Sequence, residues 1–321
     1  MKKLILVIFA SFIWIGTYSQ QERQVSHYMY DLVSVNPASA GSNDMISTHA
    51  IMRQQWVGIE GAPLGVVLNL DAPFRLFKAD HGVGASIWYD ELGFNEDINL
   101  SLSYAYQFNV GNGKLGLGIS GSFMNRKLKP DWKIPTSPLH DSPDQDVAIP
   151  SGEQNEFVFD LGAGLFYRTD ELYVGISSTH MLQDEFVYQT EGTSSTVEAK
   201  EQLIRHYYLT AGYNLQLSNP AFELLPSVML QSDIQVTKID LNATLMYNKK
   251  FWAGVTYRVG SAIVGMIGLE ILNGVKVGYS YDFDTSALAN FSKGSHEVML
   301  GYSFKLGVDR IPQKYKSIRF L

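Results

Sequence analysis

The chain has 321 residues, of which 45% are hydrophobic and only 18% charged, with 18 Tyr, 17 Phe, 28 Gly and no Cys. A net charge of -7 with no concentrated basic face argues against a nucleic-acid partner. The absence of cysteine excludes disulfides, thiolate metal sites and the acylated cysteine of a bacterial lipid anchor.

The first residues, MKKLILVIFASFIWIGTYSQ, carry two lysines, an apolar run over 4–15, and then Gly16, Thr17 and Ser19. This is the layout of a secretory signal peptide, 1–19, cut near Ser19 or Gln20. The run is shorter than the roughly 17 to 25 residues that span a bilayer, which weighs against a retained anchor. Residues 20–46 then mix polar and aromatic side chains without clean alternation, and NPASAG at 36–41 reads as a turn. They suit a periplasmic segment or a plug inside whatever follows.

From there the pattern is period two. Over 98–110, INLSLSYAYQFNV, every even position is apolar or aromatic and every odd one polar or small. Equivalent runs cover 115–123, 157–167, 207–217, 239–247, 251–259, 275–283 and 298–306, and weaker ones 48–56, 64–70, 82–89, 172–178, 224–232 and 263–269. These make about fourteen strands. An extracellular sandwich also alternates, but connection length separates the two architectures. Tight links follow the fourth, sixth, tenth and twelfth strands, and long ones the fifth, seventh and thirteenth. APFRLFKADH after the second is a moderate exception. This parity predicts an all-β, transmembrane outer-membrane barrel over 47–307, antiparallel, with a C-terminal tail at 308–321.

In such a wall, charge is costly towards lipid and cheap towards the lumen. Arg53 and Gln55 are therefore expected inside, with Met52, Gln54 and Trp56 outward near a rim, and Arg53 has a possible partner in Asp282. No cofactor, metal or catalytic residue is expected. The seven histidines lack a local metal-binding spacing, and no nucleophile elbow, phosphate loop or dinucleotide fingerprint is present. In Ser295-His296-Glu297, neighbouring side chains point to opposite faces of a strand and cannot form a relay by themselves. The loop 126–156 holds five of the 11 prolines and suits an exposed, semi-rigid contact surface.

SHYMYDLVSVNPASAG at 26–41, RQQWVGIEGAP at 53–63, FWAGVTYR at 251–258, VGYSYDF at 277–283, GSHEVMLGYSF at 294–304 and the ending KYKSIRF together resemble, in order, the PorP/SprF family of type IX secretion system membrane proteins from the Bacteroidetes. The proline-rich loop and 185–203 carry none of these motifs. The resemblance implies an outer-membrane barrel serving protein export and gliding motility, not an enzyme. Its implied partners are the C-terminal sorting domain of a secreted surface adhesin, other secretion components including periplasmic or peptidoglycan-associated proteins, and outer-membrane lipid. The family-motif residues for partner contact or structure are Asn36, Pro37, Gly41, Arg53, Trp56, Gly58, Pro63, Tyr279, Tyr281, Asp282, His296 and Glu297. The competing readings are a small-solute pore or transporter and an outer-membrane hydrolase with dispersed residues.

Overall fold

The computed structural model describes residues 22–129, 152–191 and 196–305. The expected signal peptide, most of the proline-rich loop and the C-terminal tail lie outside the described residues.

Fourteen antiparallel strands close into a barrel. They are β1 (Ile46–Gln54), β2 (Leu64–Leu76), β3 (Ala79–Leu92), β4 (Asn95–Val110), β5 (Gly113–Leu128), β6 (Gln154–Arg168), β7 (Leu172–Thr179), β10 (His206–Tyr213), β12 (Phe222–Ser232), β13 (Thr237–Tyr247), β14 (Phe251–Arg258), β15 (Ala262–Leu272), β16 (Val275–Asp284) and β17 (Ser295–Phe304). Ring closure follows from β1 pairing with both β2 and β17, and β10 with both β7 and β12. The remaining strands are a hairpin of β8 (Glu185–Glu191) and β9 (Thr196–Gln202), and β11 (Leu215–Gln216), a two-residue continuation beside β12.

The alternation has the physical meaning expected of it. Leu68, Ile119, Ile267 and Leu300 stand outward, 47%, 64%, 61% and 53% exposed, while the inward positions Asn69, Ser280, Asp282 and Glu297 are buried. An apolar exterior around a polar interior is stable only where the exterior meets hydrocarbon, and a closed ladder leaves no backbone group unpaired there. No described helix is long and apolar enough to cross a membrane, so the crossing is made by strands.

Three expectations need correction. The link after β2 is a two-residue turn, Phe77 and Lys78 at φ 48° and 67°, so the exception to the short-turn rule disappears. The first strand ends at Gln54 rather than residue 56. Trp56 takes φ 48°, its N–H donates to Ser295 Oγ, and Gln55 N–H donates to the Pro63 carbonyl; these bonds start the 55–63 loop and take Trp56 out of the outward stripe. The connection after β7 is no plain loop, because it contains the β8–β9 hairpin.

The segment before β1 lies within the ring. It comprises short helical turns at Tyr28–Tyr30 and Pro37–Ser39 around a single helical turn, α1 (Leu32–Val35). Ser26, His27, Asn36, Ala38 and Ala40 are all buried. Its direction is fixed by contacts at both ends. Glu22 meets His180, just beyond β7 at the long-loop end, and Lys114 reaches Asp44 near the turn between β4 and β5.

Candidate functional site

The densest polar cluster joins the lumen segment to the seam between β1 and β17. Arg53 and Glu297 are register partners across that seam, and both point inward because residues of matching parity in paired strands share a face. Glu297 accepts from the backbone N–H groups of Ser26 (2.8 Å) and His27 (2.7 Å) and from His27 Nδ1 (2.7 Å). Arg53 Nη2 donates to Asp282 Oδ2 at 2.7 Å, so the pairing open to these two residues in the sequence is present, and Nη1 donates to Ser26 Oγ at 2.9 Å. Ser26 Oγ in turn donates to Asp282 Oδ1. Arg258 extends the network, with Nη1 2.6 Å from Asp282 Oδ2 and Nε 3.1 Å from Asp240 Oδ1. Buried charges are tolerable only when paired and hydrogen-bonded, and here the pairing runs through the lumen segment. The cluster is a clamp, with each acceptor already engaged.

Farther along, the segment lies directly on the wall. Asn36 Nδ2 donates to the Leu165 carbonyl on β6, Ser177 Oγ on β7 donates to the Val35 carbonyl, and the Gly41 N–H donates to Asp71. A Cβ at Gly82 would sit 1.9 Å from the Ala40 carbonyl oxygen, and one at Gly118 2.1 Å from Ala38 N. Glycine at these inward positions lets one backbone approach another.

At the long-loop end a cavity of ≈750 Å³ opens above the clamp, bordered by Arg23, Arg53, Trp56, Lys238 and Arg258 among others. Beside it, the β8–β9 hairpin buries Phe186 under the Arg126 guanidinium, 4.6 Å from ring centroid to Cζ. Arg126 also pairs with its cross-strand neighbour Asp97 and with Glu201 of β9. Near the same end, His180 lies between Asp160 and Glu22. Burial alone would raise the Glu22 carboxyl, but His180, His206 and Arg23 hold it well below the usual carboxylate range. Burial alone would lower His180, but the hydrogen bonds and charges of Asp160 and Glu22 raise it to about 9.

The residues singled out from sequence fall into three places. Asn36, Pro37, Gly41, Arg53, Asp282 and Glu297 are in the lumen, and among them only Arg53, Asp282 and Glu297 meet. Trp56, Gly58 and Pro63 belong to the 55–63 loop. Tyr279, Tyr281 and His296 face outward in one aromatic group, with Tyr279 OH 2.7 Å from His296 Nδ1 and Tyr281 OH bonded to the Lys293 carbonyl. His296 and Glu297 do lie on opposite faces. Ser26, His27, Asp240 and Arg258 were not singled out; inward parity of a charged residue in an otherwise apolar-faced strand is the signal that finds Asp240 and Arg258.

A closed antiparallel ring, apolar outside and polar within, with its own N-terminal segment clamped in the lumen, defines an outer-membrane β-barrel. The chain belongs to the family described as type IX secretion system membrane protein PorP/SprF, whose model matches residues 17–302. It is thus an outer-membrane barrel of the type IX secretion system. No curated protein matches it. Among solved structures it is similar in fold to the Pseudomonas putida toluene transporter TodX (10% identity, 89% of this chain and 95% of that one, TM-score 0.50). It is also similar to a Pseudomonas aeruginosa FadL homologue (10%, 84% and 92%, 0.49) and to the translocator domain of the autotransporter NalP from Neisseria meningitidis (12%, 87% and 96%, 0.46). By the usual relation of short turns to the periplasm, the long-loop end faces the cell exterior.

Proposed function

We propose that this barrel receives the C-terminal sorting domain of a surface protein exported by the type IX system, an adhesin of the motility apparatus among them, and supports its export and retention at the cell surface. Other secretion components, including periplasmic or peptidoglycan-associated ones, would engage the short-turn face. Membership of the secretion family supports the general role. The observation that carries the specific reading is the external cavity of ≈750 Å³, whose lining includes Arg53 and Arg258 of the clamp. A concave site of this size suits holding a partner's segment.

Lys238 is the cavity's candidate contact for a partner's carboxylate, since Arg23, Arg53 and Arg258 are already ion-paired. Arg23, Arg53, Lys238 and Arg258 border the cavity against Glu22 and Asp90, and Ile51 and Val67 add an apolar patch. The runner-up reading is a small-solute transporter. It is favoured by a second pocket of ≈190 Å³ at the opposite end, where Met29, Leu225, Trp252 and Met266 offer apolar lining.

The test is affinity purification of the tagged protein from its own outer membrane in mild detergent, with mass spectrometry of what travels with it. Recovery of a large exported protein, lost when its C-terminal domain is deleted, is the expected result. Recovery of secretion-machine subunits alone would make the barrel a structural part of the apparatus, and an isolated barrel that moves small apolar solutes would replace the reading by the transporter.

A further inference from the structure

Glu22, His180 and His206 come from the start of the lumen segment, the end of β7 and the start of β10. One donor atom from each lies within 4.8 Å of the others. The two imidazoles are already oriented. His180 Nδ1 donates to Asp160 Oδ2 at 3.0 Å, and His206 Nδ1 donates to the Ile204 carbonyl at 2.9 Å. A carboxylate partner and a backbone carbonyl partner on Nδ1 are the two supports that metal-bound histidines commonly use, because they fix the tautomer and leave Nε2 as the ligand. His180 Nε2–H donates to Glu22 Oε2 at 3.2 Å, and a bound cation would displace that proton. Donors around a tetrahedral zinc lie roughly 3.3 Å apart, so this pair already has the required spacing.

From this arrangement we infer that Glu22, His180 and His206 form a binding site for a zinc-class divalent cation, with Asp160 as its orienting carboxylate. Two imidazoles and a carboxylate suit a borderline metal and not calcium or magnesium, which call for more oxygen donors. Two carboxylates, Glu22 and Asp160, supply the charge that balances a dication. The three ligands leave a fourth position for water or for a partner's side chain. The ion would fasten the outer end of the lumen segment to the wall between β7 and β10, as the clamp fastens it to β1 and β17. Sequence spacing hides the site because its ligands come from three distant segments.

The test uses the full-length protein in detergent, purified on a tag without histidine, stripped with a chelator and titrated with zinc against a chromophoric competitor. One zinc per chain is expected. Glu22→Gln and His206→Gln should each weaken binding more than Asp160→Asn, which should cost about 10-fold, and His81→Gln, at the short-turn end, should change nothing. Cobalt in place of zinc should give the intense visible bands of four-coordinate Co²⁺. Heat-modifiable gel mobility reports that each variant is folded. Failure of the heat-modifiable wild type to bind zinc, or equal binding by a folded His206→Gln variant, would overturn the site.

Discussion

Replacing Arg53 by Met removes the guanidinium that stands between Ser26, Asp282 and Glu297. Breaking a buried ion pair from one side costs about 3–5 kcal/mol. Arg258 still holds Asp282, so the lower end, about 3 kcal/mol, is expected from denaturant unfolding of the barrel in detergent. A loss below about 1 kcal/mol would show that the clamp is peripheral to stability. Gly118 tests the seat by steric means instead of charge. In Gly118→Val the new side chain meets Ala38 N, 2.1 Å from its Cβ, and the ladder of β5 cannot yield without opening its pairing with β4 and β6. The segment should therefore be the part that moves, which trypsin cleavage at Arg23 would report: rapid in the variant, slow in the parent. Equal rates would mean that the segment stays seated.

At the scale of a strand, the two faces predict opposite tolerances. Ile119→Arg places a charge on the lipid side of β5, where a mid-bilayer arginine costs about 2–4 kcal/mol. The neighbouring inward Ser120→Arg should cost less, and comparing their unfolding free energies in vesicles checks the assignment of faces; equal costs would contradict it. Strands of this kind were legible because lipid forces a strict alternation over more than ten residues, as in Asn95–Val110. The same logic placed Arg53 inside and gave it Asp282. Turns and loop substructure were less legible. Phe77, 92% exposed, occupies a hairpin turn where aromatic residues are not expected. The β8–β9 hairpin rests on Phe186 and Glu201 meeting Arg126 of β5, a contact outside its own segment that no local pattern encodes.

For the whole molecule, the fold followed from alternation and loop parity, and the family from ordered motifs, but the interior did not. What fills the ring depends on pairs such as His27 with Glu297, 270 residues apart, and Glu22 with His180, 158 apart. With the segment from Glu22 to Asp44 held in the lumen by such pairs, we propose that the barrel is plugged. The intact protein is therefore expected to be electrically silent in planar bilayers, and a variant lacking 22–45 to conduct. Steady single-channel currents from the intact protein would return the pore reading to first place.

The clamp also sits on the line where the ring closes. Arg53 and Glu297 belong to the first and last strands; Arg53 donates to Ser26 Oγ, and Glu297 accepts from Ser26 and His27. The two ends of the sheet thus meet across the chain's own leading segment, with one edge contributing the cation and the other the anion. During assembly this makes the segment a template for register: a seam slipped by one residue would turn either Arg53 or Glu297 towards lipid and strand the other. It also sets an order of events, since a segment threaded from Glu22 near the outer rim to Asp44 near the inner one is most simply enclosed before the last strand pair zips shut around it.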